Sequence, residues 1–289
     1  MNNSFSELIL NEDGSVYHLH LKPNDIAKNI IFVGDQDRVE KVTKHFDTIE
    51  VEKQKREFKT VTGIYEGKRL SVISTGIGSD NIDIVLNELD ALVNIDLQTR
   101  TIKPELTSLN IIRIGTSGAL QANIPVDSFL ISEYAIDMSG MLQSYQTEII
   151  SNSEIEKSFI EQTHWSSKKP YPTFIKGDTS LSSKLEGSSI KKGITATAVG
   201  FYGPQGRVLR LPVQDKNLNN NIENFIFDQR KITNLEMETS AIYGLSKLLG
   251  HKACSLNAIL ANRVTGDFSK NPTATVEKLI EYTLEKLVK

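Results

Sequence analysis

Two glycine-containing segments carry an arginine in surroundings that suit a phosphate group. Gly34-Asp-Gln-Asp-Arg38 follows an apolar run, and Arg113-Ile-Gly-Thr-Ser-Gly118 follows another. Glycine lets backbone N–H groups approach a ligand, a guanidinium matches phosphate oxygens, and the Thr116 hydroxyl adds a neutral donor. The alternatives are a solvated arginine at position 38 and a structural arginine at position 113 that pairs with a buried acid. The first interpretation predicts an anion site.

A third segment, Phe201-Tyr-Gly-Pro-Gln-Gly-Arg207, suits a flat polar ring. Its glycines and proline predict a loop, so Gln205 and Arg207 are expected to be presented rather than buried in a helix. An amide and a guanidinium together match the carbonyl and N–H edge of a pyrimidine, and the Phe201 ring can stack on it. The alternative is a surface loop with incidental polar residues.

The fourth segment, Asn234-Leu-Glu-Met-Glu-Thr239, contains two acids. A carboxylate accepts both hydroxyls of a cis-diol, so Glu238 is expected to hold a ribose while Met237 packs on the sugar face. Alternatively, the acids only complement the dipole at a helix start.

These segments lie between apolar runs of strand length. Runs dense in Ile, Val, Leu and Ala predict buried strands, and strands that alternate with helices predict an α/β fold with a largely parallel sheet. Ligands in such folds bind at the carboxyl ends of the strands, where these segments begin. The predicted strands are Asn29–Val33, Leu70–Thr75, Asn110–Ile114, Ser128–Ser132, Ile194–Val199 and Ala253–Ala261.

Apolar residues spaced three and four apart predict the helices. Asp37 is expected to cap a helix over Arg38–Phe46, and a third helix is expected from Glu236 to Leu249, ended by Gly250. Asp80 is expected to cap a helix with the apolar face Ile82, Val85, Leu86, Leu89, Leu92 and Val93, and the C-terminal helix has the face Val276, Leu279, Ile280, Leu284 and Leu287.

The composition excludes several classes of protein. There are 33 basic and 36 acidic side chains, a net charge of −3, which argues against a nucleic-acid binder. The single cysteine, Cys254, allows no intrachain disulfide or cysteine-rich metal site and is expected to be a buried apolar residue. No signal-peptide pattern and no run of about 18–20 apolar residues is present, so we expect no membrane association and a cytoplasmic location.

Taken in order, the motifs resemble the purine/uridine phosphorylase family of nucleoside salvage enzymes. The resemblance runs from about Tyr17 to the C-terminus, so residues 1–16 are expected to form an extension and residues 17–289 one catalytic domain. It implies a single α/β domain with a mixed, twisted, distorted barrel-like sheet flanked by helices. The motifs are Gly34–Arg38, Ser74–Gly78, Arg113–Gly118, Phe201–Arg207 and Glu236–Glu238.

The resemblance also implies roles for individual residues. Met237 and Glu238 would hold ribose, and His18 would reach the ribose 5′-hydroxyl in a partner's site. Phosphate would be bound by Gly34, Arg38, Arg113 and Thr116, together with Arg56 from a neighbouring subunit.

The base-binding residues indicate the uridine branch of the family. Phe201, Gln205 and Arg207 would hold the base, and Arg263 would support their loop. The purine branch carries a Ser-Asp pair where this sequence reads Ala261-Asn262-Arg263. The catalytic residues would then be Arg207, Gln205 and Arg113, with uridine and inorganic phosphate as substrates. A purine or broad specificity and a non-catalytic nucleoside-binding protein are the alternatives.

The family assembles as homodimers or as hexamers of dimers, so a homo-oligomer with shared sites is expected. No cofactor or metal is expected beyond phosphate as co-substrate. Relatives of the uridine type can bind a monovalent cation near Glu57 and a Gly-Gly-Pro-Ser stretch, which here reads Gly78-Ser-Asp-Asn81. The segment Val93–Ser108 is longer than the family connection.

Overall fold

The predicted apolar runs form central strands of an 11-stranded mixed sheet in the computed structural model, which describes residues 4–289. A separate two-stranded hairpin lies within the long Val93–Ser108 segment. In chain order the strands are β1 (Asn29–Val33), β2 (Thr48–Lys55), β3 (Phe58–Tyr65), β4 (Lys68–Ser74), β5 (Ile95–Asp96), β6 (Thr101–Ile102), β7 (Asn110–Ala119), β8 (Phe129–Asp137), β9 (Thr173–Lys176), β10 (Ile190–Thr197), β11 (Ile226–Phe227), β12 (Arg230–Glu236) and β13 (Lys252–Asn262).

The sheet closes on itself over part of its width. Its order is β11-β12-β10-β8-β13-β7-β1-β4-β3-β2, with β9 paired to β8. Because β12 also pairs with β7, at Asn234↔Ala119 and Leu235↔Gly118, strands β12, β10, β8, β13 and β7 form a closed ring. The other strands continue from β7 as an open sheet, so the fold is α/β with a distorted, incomplete barrel, as the resemblance implied.

Helices cover the sheet and bury the apolar faces that the sequence indicated. Ile82, Val85, Leu86, Leu89 and Leu92 are fully buried in one core cluster, and the C-terminal helix contributes to a second. The helices are α1 (Gln36–Thr43), α2 (Ser79–Asn94), α3 (Ser153–Thr163), α4 (Thr179–Leu185), α5 (Leu218–Asn224), α6 (Thr239–Leu248) and α7 (Pro272–Val288).

Several predicted strands are longer than expected or differ at their ends. The run Asn110–Ile114 continues to Ala119, so the Arg113–Gly118 motif lies within β7 and not in a loop. It stays extended because β13 pairs with it over its whole length, from Lys252↔Asn110 to Asn262↔Ala119. Similarly, β8 runs to Asp137 where the sequence predicted an end at Ser132, and β10 begins at Ile190.

Three helix starts were predicted wrongly. Asp35, not Asp37, caps α1, because its side chain accepts a hydrogen bond from the Asp37 N–H, and α1 ends at Thr43. Gly78 is the N-cap of α2, and Asp80 lies in its first turn. Glu236 belongs to β12, whose pairing with β10 keeps it extended, so α6 begins only at Thr239.

The described part of the predicted N-terminal extension packs on the catalytic body. Val16 is fully buried in the core cluster that contains α2, and an isolated bridge joins it to Leu10. Cys254 is buried as predicted, and burial raises the pKa of its thiol to about 12. Among residues 4–289, no helix has the length and apolar character needed to cross a membrane.

Candidate active site

A cleft of about 1240 Å³ lies at the carboxyl ends of the parallel strands. Strands β4, β1, β7 and β13 run parallel in adjacent positions, so the segments that follow them meet at one edge. Ten of the twelve site residues predicted from the sequence line this cleft: Gly34, Arg38, Arg113, Thr116, Phe201, Gln205, Arg207, Met237, Glu238 and Arg263.

Arg113 reaches the cleft by lying along its own strand. Its guanidinium passes over Gly115, where a Cβ atom would stand 1.7 Å from Nη1. Nη1 donates to Asn257 Oδ1 at 3.0 Å, and Nη2 donates to Glu238 Oε2 at 2.6 Å. Glu236 Oε2 lies 3.2 Å from the same Nη2. Arg113 therefore pairs with buried acids, as its structural interpretation predicted, and it also lines the cleft; its binding of phosphate stays a prediction.

Glu238 is a buried carboxylate with a raised pKa. Burial is the main cause, the nearby Glu236 charge adds to it, and the Arg113 charge opposes it. Its Oε1 accepts the Gly78 N–H at 2.9 Å, at a backbone φ of +101° that favours glycine. A carboxylate has about four acceptor positions, so two remain for a ligand.

Arg38 is a cation of the cleft with little compensation for its charge. It lies in the first turn of α1, where the helix dipole disfavours a cation. The one hydrogen bond of its side chain within the described residues is to the Ile114 carbonyl at 3.4 Å. Burial lowers the pKa of Arg38, and the positive charge of Arg113 lowers it further. A guanidinium with so little compensation favours an anion beside it.

The loop after β10 is more buried and more folded on itself than the sequence predicted. Gln205 ends a short 3₁₀ helix and is only 2% exposed, which corrects the prediction of a loop that presents it rather than burying it in a helix. The guanidinium of Arg207 lies over the Phe201 ring at 3.8 Å, and it donates to the Phe201 carbonyl at 2.6 Å and to Gln205 Oε1. A base that stacks on Phe201 therefore takes its other face or displaces Arg207.

Arg263, the residue after β13, supports this loop through a hydrogen bond. Its Nη1 donates to the Gln205 carbonyl at 2.6 Å. Burial and the neighbouring charge of Arg207 lower the pKa of Arg263 to about 10. In the described chain, neither arginine has a carboxylate within salt-bridge distance. This end of the cleft consequently favours a ligand that carries or develops negative charge.

The remaining two predicted site residues, Arg56 and His18, do not line the cleft of their own chain. Arg56 is exposed at the turn between β2 and β3, with φ at +55°. The His18 Nδ1 atom lies 2.6 Å from Glu88 Oε1, and Glu88 also accepts the N–H groups of His18 and Leu19. These are the residues that the resemblance assigned to a partner's site, and that assignment stays a prediction.

The structure adds residues that sequence reasoning did not assign. Asn262 ends β13 and donates to the carbonyls of Gln121 and Ile124, which fixes the path of the chain into Arg263. Asp267 and Phe268 follow on the next loop and line the cleft. Their position just after the Ala261–Arg263 stretch was the available signal.

A second groove, of about 720 Å³, is lined by residues of the loop after β10 and shares Arg207 with the cleft. Its walls are mainly apolar and lack Arg38, Arg113 and Glu238. Only the first cleft combines Arg38 and Arg113 with the Glu238 carboxylate, although Lys169 and Arg210 also line the second groove. Among the described residues, no three His, Cys, Asp or Glu side chains are grouped to hold a metal ion.

The known proteins that this chain resembles in sequence and in structure are phosphorylases. Residues 28–288 match the family model of the Phosphorylase superfamily. The chain is 30% identical over 264 residues to a uridine phosphorylase of Thermococcus kodakarensis, covering 90% of this chain and 82% of that protein. It is 25% identical over 276 residues to a DeoD-type purine nucleoside phosphorylase of Listeria monocytogenes, covering 94% and 99%. A solved nucleoside phosphorylase of Trypanosoma brucei, described as showing uridine phosphorylase activity, superposes with a TM-score of 0.87 at 30% identity and covers 97% of this chain and 99% of that one.

Proposed function

Because this chain belongs to the phosphorylase superfamily, and within it to the nucleoside phosphorylases, we propose that it cleaves uridine with inorganic phosphate. The products are uracil and α-ribose 1-phosphate. The observation that carries the proposal is the distribution of charge in the cleft. One arginine pair, Arg38 and Arg113, lies at one end. The second pair consists of Arg207, in the loop after β10 (the base loop), and Arg263, which supports that loop.

The phosphate end supplies the nucleophile. Arg38 and Arg113 hold the phosphate dianion, with the Gly34 backbone and the Thr116 hydroxyl as further donors. The bound dianion relieves the repulsion between the two guanidiniums. It is placed below the anomeric carbon, and one of its oxygens forms the new bond to C1′ as the bond from C1′ to the base breaks.

The ribose lies between Glu238 and Met237. Oε1 and Oε2 of Glu238 keep their bonds to Gly78 and Arg113, and their remaining lone pairs accept the cis-diol. Because Arg113 contacts Glu238 directly, the same guanidinium orients the ribose acceptor and binds phosphate. The two substrates are thus held in a fixed relation.

The base end stabilises the leaving group. The electron pair of the breaking glycosidic bond goes to the uracil ring, where negative charge grows in the transition state. Arg207, supported by Arg263 through the Gln205 carbonyl, stabilises this charge, while Gln205 reads the polar edge of the base. No cofactor or metal takes part in the proposed reaction, which uses phosphate as co-substrate.

The proposal includes a homo-oligomer that works in the cytoplasm. Arg56 and His18 lie outside their own cleft, which supports sites completed by a partner subunit. A monovalent cation near Glu57 also remains a prediction, and Glu57 and Asn81 line the cleft.

A purine nucleoside is the second candidate substrate. The similarity to DeoD-type enzymes covers nearly the whole chain, and Asp267 places an exposed carboxyl on the cleft wall close to Asn262. A carboxylic acid there can protonate a leaving purine, as general acids do.

The deciding experiment measures uracil release from uridine by ultraviolet absorbance, with and without inorganic phosphate. We expect release that requires phosphate. Release without phosphate would identify a hydrolase and overturn the role of Arg38 and Arg113. Release of hypoxanthine from inosine, with uridine untouched, would favour the purine candidate. Calorimetric binding of uridine with no turnover of either would indicate a nucleoside-binding protein.

A further inference from the structure

The turn between β2 and β3 points its two residues in different directions. Arg56 comes first, at a backbone φ of +55°, and Glu57 second. Glu57 lines the cleft of its own chain, whereas Arg56 does not. Among residues 4–289, the exposed Arg56 side chain has no hydrogen-bond or ion-pair partner. The turn therefore lies at the rim of the cleft and leaves its guanidinium available to a second molecule.

The side chain of Gln36 holds this turn. Gln36 is the first residue of α1 and lies within the segment Gly34–Arg38. Its Nε2 donates to the Arg56 carbonyl at 2.7 Å, and its Oε1 accepts from Gln54 Nε2 at 3.1 Å. The amide cannot be reversed, because its oxygen would then face a carbonyl that can only accept. Both ends of the Gln36 amide are therefore fixed by the end of β2 and the turn.

The bond from Gln36 acts where the backbone is least favourable. A left-handed conformation is strained for a residue with a Cβ atom, and it persists only where the surroundings fix it. The strand pair Lys55↔Phe58 closes the turn, and the Gln36 amide fixes the orientation of the Arg56 carbonyl within it. Without that amide, we expect the turn to sample other conformations and the guanidinium to lose its fixed direction.

The strand end next to Arg56 also holds the N-terminal segment. Lys55 Nζ donates to the Tyr17 carbonyl at 2.5 Å and to Asn11 Oδ1 at 2.9 Å, and it lies 4.3 Å from the centroid of the Tyr17 ring. Tyr17 directly precedes His18. The two residues proposed to reach a partner's site, Arg56 and His18, are thus tied to the same end of β2.

We propose that Gln36 is the positioning residue for Arg56, and that through it the segment Gly34–Arg38 of each chain fixes a ligand of the phosphate site in the partner subunit. The inference rests on the proposed function, in which Arg56 completes a partner's site. Gln36 lines the cleft of its own chain, but the residue that it holds does not. Its contribution to phosphate binding is therefore delivered to the other subunit.

The first test is a double-mutant cycle on the KM for phosphate, using Gln36→Ala, Arg56→Ala and the double variant. Gln36→Ala should raise this KM by about 2- to 12-fold, which corresponds to one hydrogen bond of about 0.5–1.5 kcal/mol. The KM for uridine should stay at the wild-type value. The double variant should have the same KM for phosphate as Arg56→Ala alone, because Gln36 acts only through Arg56.

Gln54→Ala is the matched control. It removes the other hydrogen bond of the Gln36 amide and leaves the bond to the Arg56 carbonyl in place, so the KM for phosphate should not change. Gln36→Met keeps the length of the side chain, removes both hydrogen bonds and should match Gln36→Ala. Thermal unfolding checks that each variant is folded, and Gln36→Met replaces Gln36→Ala if the latter does not fold.

The second test asks which subunit Gln36 serves. Two mixed dimers are prepared by refolding chains with different affinity tags together, and each dimer contains one Gln36→Ala and one Arg207→Ala substitution. In the first dimer the substitutions are on separate chains, and in the second they are on the same chain, paired with a wild-type chain. Because Arg207→Ala silences the cleft of its own chain, one site is measured. The KM for phosphate should equal the wild-type value in the first dimer and be raised in the second.

The reverse result, a raised KM in the first dimer and a wild-type KM in the second, would place the effect of Gln36 in its own cleft and overturn the inference. So would a Gln36→Ala enzyme equal to wild type, losses that multiply in the double variant, or a protein that stays monomeric. If the wild type cleaves no nucleoside, the proposed function fails separately. Calorimetry with inorganic phosphate then replaces kinetics: Gln36→Ala should weaken the Kd by the same factor but have no effect in the Arg56→Ala background, and an unchanged Kd would overturn the inference.

Discussion

At the scale of single residues, the four guanidiniums of the cleft differ in how their charge is compensated. Arg113 is bound by two carboxylates, and their attraction raises its pKa although burial alone would lower it. Arg38, Arg207 and Arg263 have only carbonyl or amide oxygens as partners, and burial is the first cause of the lowered pKa of each. Arg113 is therefore the most compensated of the four, and the charges of Arg38, Arg207 and Arg263 are the least compensated.

Arg207→Ala should lower kcat/KM for uridine by about 10²–10³, because it removes a preorganised cation at the position where charge develops. Steady-state kinetics at saturating phosphate measure this. Arg210→Ala is the control, since Arg210 is exposed on the same segment and does not line the cleft. An Arg207→Ala enzyme within a few-fold of wild type would contradict the assignment.

The raised pKa of Glu238 predicts a loss of activity at acidic pH. The ionised carboxylate accepts the ribose hydroxyls, so kcat/KM should fall as pH falls through this pKa, starting above the range of an ordinary glutamate. Glu238→Gln should be less active at every pH and should lack this acidic limb. The measurement is kcat/KM against pH for both proteins. Ionisation of free phosphate affects both alike, so identical limbs would show that Glu238 is not the titrating group.

At the scale of elements, β7 is the centre of the site. It pairs with β1, β12 and β13, and so brings together segments that follow three other strands. Its glycine at position 115 gives the Arg113 side chain room to lie along the strand. The motif therefore functions as an extended strand with one missing side chain, not as a phosphate-binding loop.

Gly115→Ala should displace the Arg113 guanidinium, because the added Cβ would stand 1.7 Å from Nη1. We expect the KM for phosphate to rise at least about tenfold, since hydrogen bonds to charged groups contribute about 1.5–3 kcal/mol. Initial rates at varied phosphate measure it. Gly187→Ala adds a milder clash, 2.6 Å from the Tyr282 hydroxyl and outside the cleft, and should leave the phosphate KM unchanged. An unchanged phosphate KM in Gly115→Ala would show that Arg113 does not bind phosphate.

At the scale of the whole molecule, the cleft of one chain contains every predicted ligand except the two assigned to a partner. Arg56 and His18 project from other parts of the surface, one from the β2–β3 turn and one from the N-terminal segment. The proposed site shared between subunits would account for both positions without any change in the chain's own fold.

Subunit mixing tests this arrangement. Arg56→Ala and Arg207→Ala are each expected to have low activity alone. After the two are unfolded and refolded together, mixed pairs of subunits contain one intact site, so activity should return to about a quarter of wild type if pairs form at random in a symmetric dimer. Refolding each variant alone is the control. No recovery in the mixture, with assembly verified by light scattering, would place Arg56 in its own chain's site or outside any site.

The sequence by itself determined the cores of the strands, the apolar faces of the helices and the residue types of the site. Ile82 to Leu92 and Asn29–Val33 fall where periodicity placed them, because burial on one face leaves a local pattern. The sequence misplaced features that depend on neighbours. It ended β7 at its first glycine and began α6 within β12, because only pairing with β13 and β10 keeps those residues extended.

Tertiary structure alone decided how the site residues are connected. Glu238 joins Arg113 to Gly78, Asn234 joins Thr195 to Ser117, and Gln205 is buried beneath Arg207 and Arg263. These contacts span separations of up to 160 residues. Short windows of sequence record which side chains can bond, but the order in which strands pair determines which of them meet.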